Sequence, residues 1–284
     1  MSSSSGTQLH SRLDVGTLPG WVLYLAPVVT ARLIVFVHGF LGKAVKSWQR
    51  FPDNTETWWQ ESDLLFVGYD SSHEKIIGVA ARLRRELPNF YPLLPARYLT
   101  AGGFSQRPGP PSPYRSLLIV GHSQGGVVVR RALADVALDW QAQQQHNPGC
   151  DRPSLLDADV RLFSPASAGF RAAGPLGMLQ AIPAWWSMIN VLLRSSSAFT
   201  DMQPGSQTLT STRQMTETAL SADPQNLGAL RPAIVWANPD NVVISVRYLT
   251  DPVDDAIDHT DHVSVCKPDQ NYPTPWTFVR TGKI

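Results

Sequence analysis

Residues 117–126 read Leu-Leu-Ile-Val-Gly-His-Ser-Gln-Gly-Gly, an apolar run that breaks at a glycine and restarts as a helical pattern. The pattern predicts a strand over Leu117–Val120, a tight turn centred on Ser123, and a helix over Gln124–Gln145. Within that helix Val129, Leu133, Val136 and Trp140 step by 4, 3 and 4, the stripe of a helix docked on a sheet. A serine held between strand and helix projects its hydroxyl from a strained turn. The helix N-terminus beneath it carries unpaired N–H groups and a positive dipole end, both of which favour negative charge nearby. Gly121 and Gly125 let neighbouring chains approach where a Cβ would obstruct them.

The rest of the chain supplies the setting this turn needs. Short runs dense in Val, Ile and Leu predict further strands at Val22–Leu25, Leu33–Val37, Leu64–Gly68, Val160–Phe163, Ile234–Ala237 and Ser245–Leu249. Runs without polar alternation belong to strands buried on both faces. A second helix is predicted over His73–Leu87 from Ile76, Ala80, Leu83 and Leu87. Strand and helix alternating in this way predict an α/β fold with a mostly parallel central sheet flanked by helices. With 284 residues, one domain spanning the whole chain suffices. It is interrupted by a proline-rich loop insertion at 88–116 and by an uncharged apolar stretch read as a small helical cap at about 170–200.

Composition closes off other classes. Lysine plus arginine number 24 against 23 acidic residues, a net charge of +1, so the basic excess of a nucleic-acid binder is missing. Hydrophobic residues at 43% are enough for a core and exclude a disordered chain. Two cysteines, Cys150 and Cys266, are too few for a disulfide framework or a four-ligand zinc site and read as buried apolar residues. No cofactor motif is present. The serine-rich start has no basic-then-apolar leader, and Pro27 and Arg32 divide the first apolar stretch, so the expectation is a cytoplasmic protein that meets membranes only at a lipid interface.

A serine hydroxyl is a weak nucleophile without an adjacent base. In the α/β-hydrolase arrangement that this strand, serine turn and helix resemble, the acid and then the base follow the nucleophile in the chain. Two histidines come after the last predicted strand, His259 and His262, and His262 is the preferred base. Asp240 follows the strand Ile234–Ala237 and is the preferred acid, with Asp201, Asp223, Asp251, Asp254 and Asp255 as rivals. Backbone N–H donors for an oxyanion are expected from Phe40, in the turn Val37-His38-Gly39-Phe40-Leu41-Gly42, and from Gln124. His38 is read as a brace for that turn. Leu41, His122, Trp185, Trp186 and Met188 are the expected substrate contacts, although the aromatic residues of the last segment suit a helix core nearly as well. Five aspartates fall within residues 251–261; they lack the EF-hand pattern and read as a solvated acidic loop.

From about Leu33 to Pro268 the sequence resembles the α/β-hydrolase superfamily. The specific pieces are the His-Gly turn at 38–39, Gly121-His122-Ser123-Gln124-Gly125-Gly126, and Asp261-His262-Val263-Ser264-Val265-Cys266-Lys267-Pro268. The last, with Asp201-Met202-Gln203-Pro204-Gly205-Ser206, is similar to a lipase-like serine esterase subgroup related to GPI inositol-deacylases. The resemblance implies Ser123 as nucleophile, Asp240 as acid, His262 as base, and an esterase or lipase acting without cofactor or metal. Thioesterase, amidase or acyltransferase chemistry would use the same three residues, and a non-catalytic lipid- or protein-binding module is a further alternative. Two departures from the family pattern stand in the cleft. Gln124 replaces the commoner methionine, and Ser164-Pro165-Ala166-Ser167-Ala168-Gly169 replaces Thr-Pro-His-x-Gly.

Overall fold

The computed structural model describes residues 10–48, 50–101, 112–171 and 196–284. Its centre is an eight-stranded sheet: β1 (Ser11–Asp14), β2 (Val22–Leu25), β3 (Arg32–Val37), β4 (Asp63–Val67), β5 (Ser116–His122), β6 (Asp159–Phe163), β7 (Ala233–Asn238) and β8 (Asp255–Asp258). The spatial order is β1-β2-β4-β3-β5-β6-β7-β8. β2 runs antiparallel to both β1 and β4, and every pair from β4 through β8 is parallel. The helices that matter below are α1 (Ala44–Ser47), α2 (Thr57–Gln60), α3 (Ile76–Glu86), α4 (Ala96–Ala101), α5 (Gln124–His146), α6 (Ser197–Asp201), α7 (Gln207–Ala222) and α8 (Thr274–Thr281).

The central strands are apolar on both faces because both faces are covered. Leu33, Val35 and Val37 of β3 join one core with Val79 and Leu83 of α3, Val129 and Leu133 of α5, and Leu209 and Leu220 of α7. Ile34 and Phe36 face the other way, into a smaller core with Trp48, Phe51, Trp59 and Phe278. Phe36 is the hub of that second core, with ring centroids 5.2 Å from Trp48, 5.0 Å from Phe51 and 5.0 Å from Phe66.

Several boundaries depart from expectation. Ser245–Leu249 forms no strand: Tyr248 is buried, while Leu249 is 86% exposed. The Tyr248 N–H donates to the Asp251 carboxylate at 2.7 Å, which takes this segment out of any ladder. The last strand is instead β8, whose Asp255 and Asp258 suit an exposed sheet edge where charge discourages further pairing. The opposite edge, β1, is a half-exposed Ser-Arg-Leu-Asp that has too little apolar content to be read as a strand. The 88–116 insertion is not wholly irregular, since α4 and a single 3₁₀ turn, Leu87–Asn89, lie at its start; 102–111 are outside the described residues. Both cysteines are free thiols; Cys266 is buried as expected and Cys150 only partly so. Of the segment read as a cap, 172–195 lies outside the described residues, and α6 follows it.

Candidate active site

Ser123 is the residue between β5 and α5, with φ 54° and ψ −123°. That backbone region costs a non-glycine residue about 1–3 kcal/mol and persists only where the surroundings impose it. The imposing contacts are close ones. The Ser123 N–H donates to the Phe163 carbonyl at 3.0 Å, and its carbonyl accepts from Gly126 at 3.0 Å and Ala166 at 3.1 Å. A Cβ at Gly125 would lie 2.3 Å from the Val37 carbonyl oxygen and 2.4 Å from that of His38. A Cβ at Gly39 would lie 2.8 Å from the Ser123 Cβ. Only glycine lets the end of β3, its following turn and the start of α5 meet around the serine.

The three residues expected to act together come together. The Ser123 hydroxyl lies 2.9 Å from His262 Nε2, and His262 Nδ1 lies 2.9 Å from Asp240 Oδ2. All three are buried: Ser123 at 0%, His262 at 2% and Asp240 at 5% exposure. Asp240 follows β7 and folds back on itself, its Oδ1 accepting the Val242 and Val243 N–H groups at 3.0 Å each. Burial pushes its carboxyl up; the hydrogen bond and charge of His262, with those two N–H groups, outweigh burial and hold it below the ordinary aspartate value. It is therefore ionised at neutral pH, oriented to accept from Nδ1–H and leave Nε2 free to take a proton from the serine.

The rivals for these roles are engaged elsewhere. Asp201 accepts the Ile76 N–H and the Thr208 hydroxyl, each at 2.9 Å. Asp223 accepts from Asn226. The 251–261 aspartates are not one solvated cluster. Asp251 is buried against Arg130, Asp254 accepts from the Trp236 indole, Asp258 accepts from Asn238 at 2.6 Å, and Asp261 caps Val263 and Ser264 at 2.8 Å each. Among the described residues no three His, Cys, Asp or Glu side chains are grouped as metal ligands.

The remaining expected site residues divide. Gln124 is the first residue of α5, so its N–H has no acceptor one turn back. Phe40 follows Gly39 at the turn that touches Ser123, with its ring 5.7 Å from Phe170. Leu41 is 47% exposed beside them, at φ 56°. His122 lies against the His262 ring, with centroids 4.8 Å apart. It is 9% exposed, and its Nε2–H donates to the His262 carbonyl at 2.7 Å, so it braces the loop carrying His262. Burial, helped by the neighbouring His262, pushes it down to about 3, so it is neutral at pH 7. His38 braces the turn after β3: its Nδ1–H donates to the Gly39 carbonyl at 2.8 Å and its ring stacks on Tyr69 at 4.2 Å. Burial takes it down to about 4, against the pull of its two backbone hydrogen bonds. Trp185, Trp186 and Met188 lie outside the described residues. A cavity of 740 Å³ shares His38 and Gly42 with the turn after β3, but none of Ser123, Asp240 and His262 lines it.

One contact near the site has no counterpart in the sequence reading. Arg130, on α5 two turns beyond Ser123, is 3% exposed and grips Asp251 with both terminal nitrogens, at 2.9 and 2.7 Å. Its guanidinium lies 4.1 Å from the Tyr248 ring centroid. A cation directly after the three consecutive valines Val127, Val128 and Val129 was the available signal.

The chain was compared with known proteins. No family model matches it, and no curated protein does. Solved structures are similar in fold. Esterase B from Lactobacillus rhamnosis aligns with a TM-score of 0.50 at 15% identity, over 96% of this chain and 83% of that one. The mature lipase from Bacillus licheniformis aligns at 0.48 and 16% identity, over 87% and 91%. A peroxisomal alpha-beta-hydrolase from Saccharomyces cerevisiae aligns at 0.44 and 14% identity, over 99% and 86%. The eight-stranded, mostly parallel sheet with helices on both faces is the α/β-hydrolase fold.

Proposed function

We propose that this chain is a serine hydrolase of carboxylic esters that works through an acyl-enzyme on Ser123. The observation that carries the reading is the continuous relay from Ser123 Oγ through His262 to Asp240, buried and closed by two 2.9 Å contacts. As the hydroxyl oxygen attacks the ester carbonyl carbon, its proton passes to His262 Nε2, and Asp240 stabilises the resulting imidazolium. The carbonyl oxygen becomes an oxyanion held by the Phe40 and Gln124 N–H groups. The carbon–oxygen bond to the alcohol then breaks, and the alcohol leaves with the His262 proton. Water repeats the sequence on the acyl-serine: His262 takes its proton, the acid is released and Ser123 recovers its hydrogen. Nothing in these steps asks for a metal or cofactor. The motif at 261–268 supports the finer placement beside the lipase-like serine esterases.

Fluorophosphonate labelling with mass mapping tests the assignment, alongside turnover of p-nitrophenyl acetate, an acyl thioester and an anilide. The expected result is a single adduct on Ser123, lost in Ser123→Ala, with the oxygen ester the fastest substrate. An adduct on another residue, or labelling that survives Ser123→Ala, sinks the reading.

A further inference from the structure

The two departures from the family pattern turn out to share a property. Gln124 is 1% exposed, yet neither its side-chain oxygen nor its side-chain nitrogen has a hydrogen-bond partner. Ser167 is 4% exposed, and its hydroxyl is likewise unpartnered. Buried amides and hydroxyls are nearly always paired, because leaving water without a replacement bond is costly. Three such atoms close to one nucleophile call for a reason.

Their placement supplies one. Successive residues of a helix are turned by about 100°. Gly125 presses on the end of β3 and Gly126 on Pro165, so the Gln124 side chain is turned away from both contacts. Side chains on a helix also tilt toward its N-terminus, which here is Ser123. Ser167 belongs to the turn whose Ala166 N–H donates to the Ser123 carbonyl. The same turn leads to Phe170, which packs on Phe40 of the oxyanion turn. The amide and the hydroxyl therefore belong to the two segments that meet at Ser123, one on the residue that follows it and one in the turn bonded to its carbonyl.

Resting on the function proposed above, we infer that the Gln124 amide and the Ser167 hydroxyl form a polar acyl subsite, which selects esters whose acyl group bears a hydroxyl, carbonyl or amide close to the ester carbon. The amide offers one donor face and one acceptor face, so it can pair with either kind of substituent. A plain aliphatic chain would leave all three atoms unpaired, and sites built to hydrogen-bond a substrate group discriminate strongly against analogues that lack it. A methionine at 124, the commoner residue, would keep the backbone donor and side-chain length while removing both polar atoms.

The test compares kcat/KM for p-nitrophenyl butyrate, 3-hydroxybutyrate and N-acetylglycinate, in wild type, Gln124→Met and Ser167→Ala, with fluorophosphonate labelling run on each. Wild type is expected to favour the two polar acyl groups over butyrate by about tenfold or more. Gln124→Met is expected to lower that ratio at least tenfold, and Ser167→Ala to lower it by a smaller factor. A wild-type ratio at or below one, or a ratio unmoved by both variants while Ser123 still labels, overturns the subsite and leaves the hydrolase standing. If no ester turns over and Ser123 does not label, the hydrolase reading fails and the subsite falls with it. Ser167→Ala keeps the comparison decisive should Gln124→Met fail to fold.

Discussion

Arg130 and Asp251, 121 residues apart in the chain, meet as a two-point ion pair with side-chain exposures of 3% and 0%. The pair ties the helix that carries Ser123 to the segment that runs from Asp240 toward His262. A third bond, from the Tyr248 N–H to Asp251 Oδ2 at 2.7 Å, uses that carboxylate again. Removing one partner leaves a buried charge with no counter-ion. Arg130→Met or Asp251→Leu alone is therefore expected to cost about 3–5 kcal/mol, and the double variant to regain most of it. Urea midpoints of the four proteins check this; equal losses in single and double variants would make the pair's charge irrelevant.

In the proposed mechanism the relay acts as one unit, so its members are not additive. Ser123→Ala and His262→Ala are each expected to lower ester turnover on the order of 10⁵- to 10⁶-fold, with the double variant hardly worse. Asp240→Asn should lower it about 10⁴-fold, because the amide no longer holds the imidazole in the right tautomer. Steady-state rates on p-nitrophenyl acetate read all four. A loss of only a few-fold in Asp240→Asn would reassign the acid.

Stability should fall with acid earlier than carboxylates alone would make it. His122 and His38 are held neutral in the fold, at about 3 and about 4, against about 6.5 when unfolded. Between those values the unfolded chain binds protons that the folded one refuses, so stability declines as pH drops below about 6.5. Each histidine contributes up to about 1.4 kcal/mol per pH unit over that window. Asp240, depressed in the fold, adds its loss only below its unfolded value of about 3.9. Denaturation midpoints from pH 7 to 4 check the slope, and His38→Gln is expected to remove about half of it.

Gly125→Ala places a methyl against two backbone carbonyls that no rotamer change can move. The expected cost is about 3 kcal/mol, the upper range for overpacking. The same shift would pull the Gln124 N–H away from the oxyanion. Turnover should fall well beyond what lost stability explains, as measured under conditions where the variant is fully folded. Gly78→Ala, which meets nothing within 4 Å on a helix surface, is the matched control.

What could be read from the residues follows from where the physics is local. β5, its turn and α5 were legible because an apolar run, glycines and a helical stripe are all contiguous. That Ser123, Asp240 and His262 would meet was reachable because the chain order of the α/β-hydrolases the sequence resembles limits the choice once the serine is placed. Ser245–Leu249 misled because its apolar residues look like a strand, while the bond that removes it from the sheet comes from Asp251 and is anchored by a helix 121 residues away. β8 was hidden because an edge strand faces water and needs no apolar run. The bond from His122 to the His262 carbonyl was not legible, because only the fold brings together residues 140 apart in the chain.

The relay closes between positions 139 residues apart, and its last member stands after the final strand of the sheet. No stretch of chain that stops short of His262 can contain it, however well its own strands pair. During folding, the sheet between β3 and β6 can form its ladders while the serine still has no base. On the proposed function, reactivity at Ser123 is a clock for the completion of the C-terminal half, and in a refolding experiment fluorophosphonate labelling should lag the recovery of secondary structure.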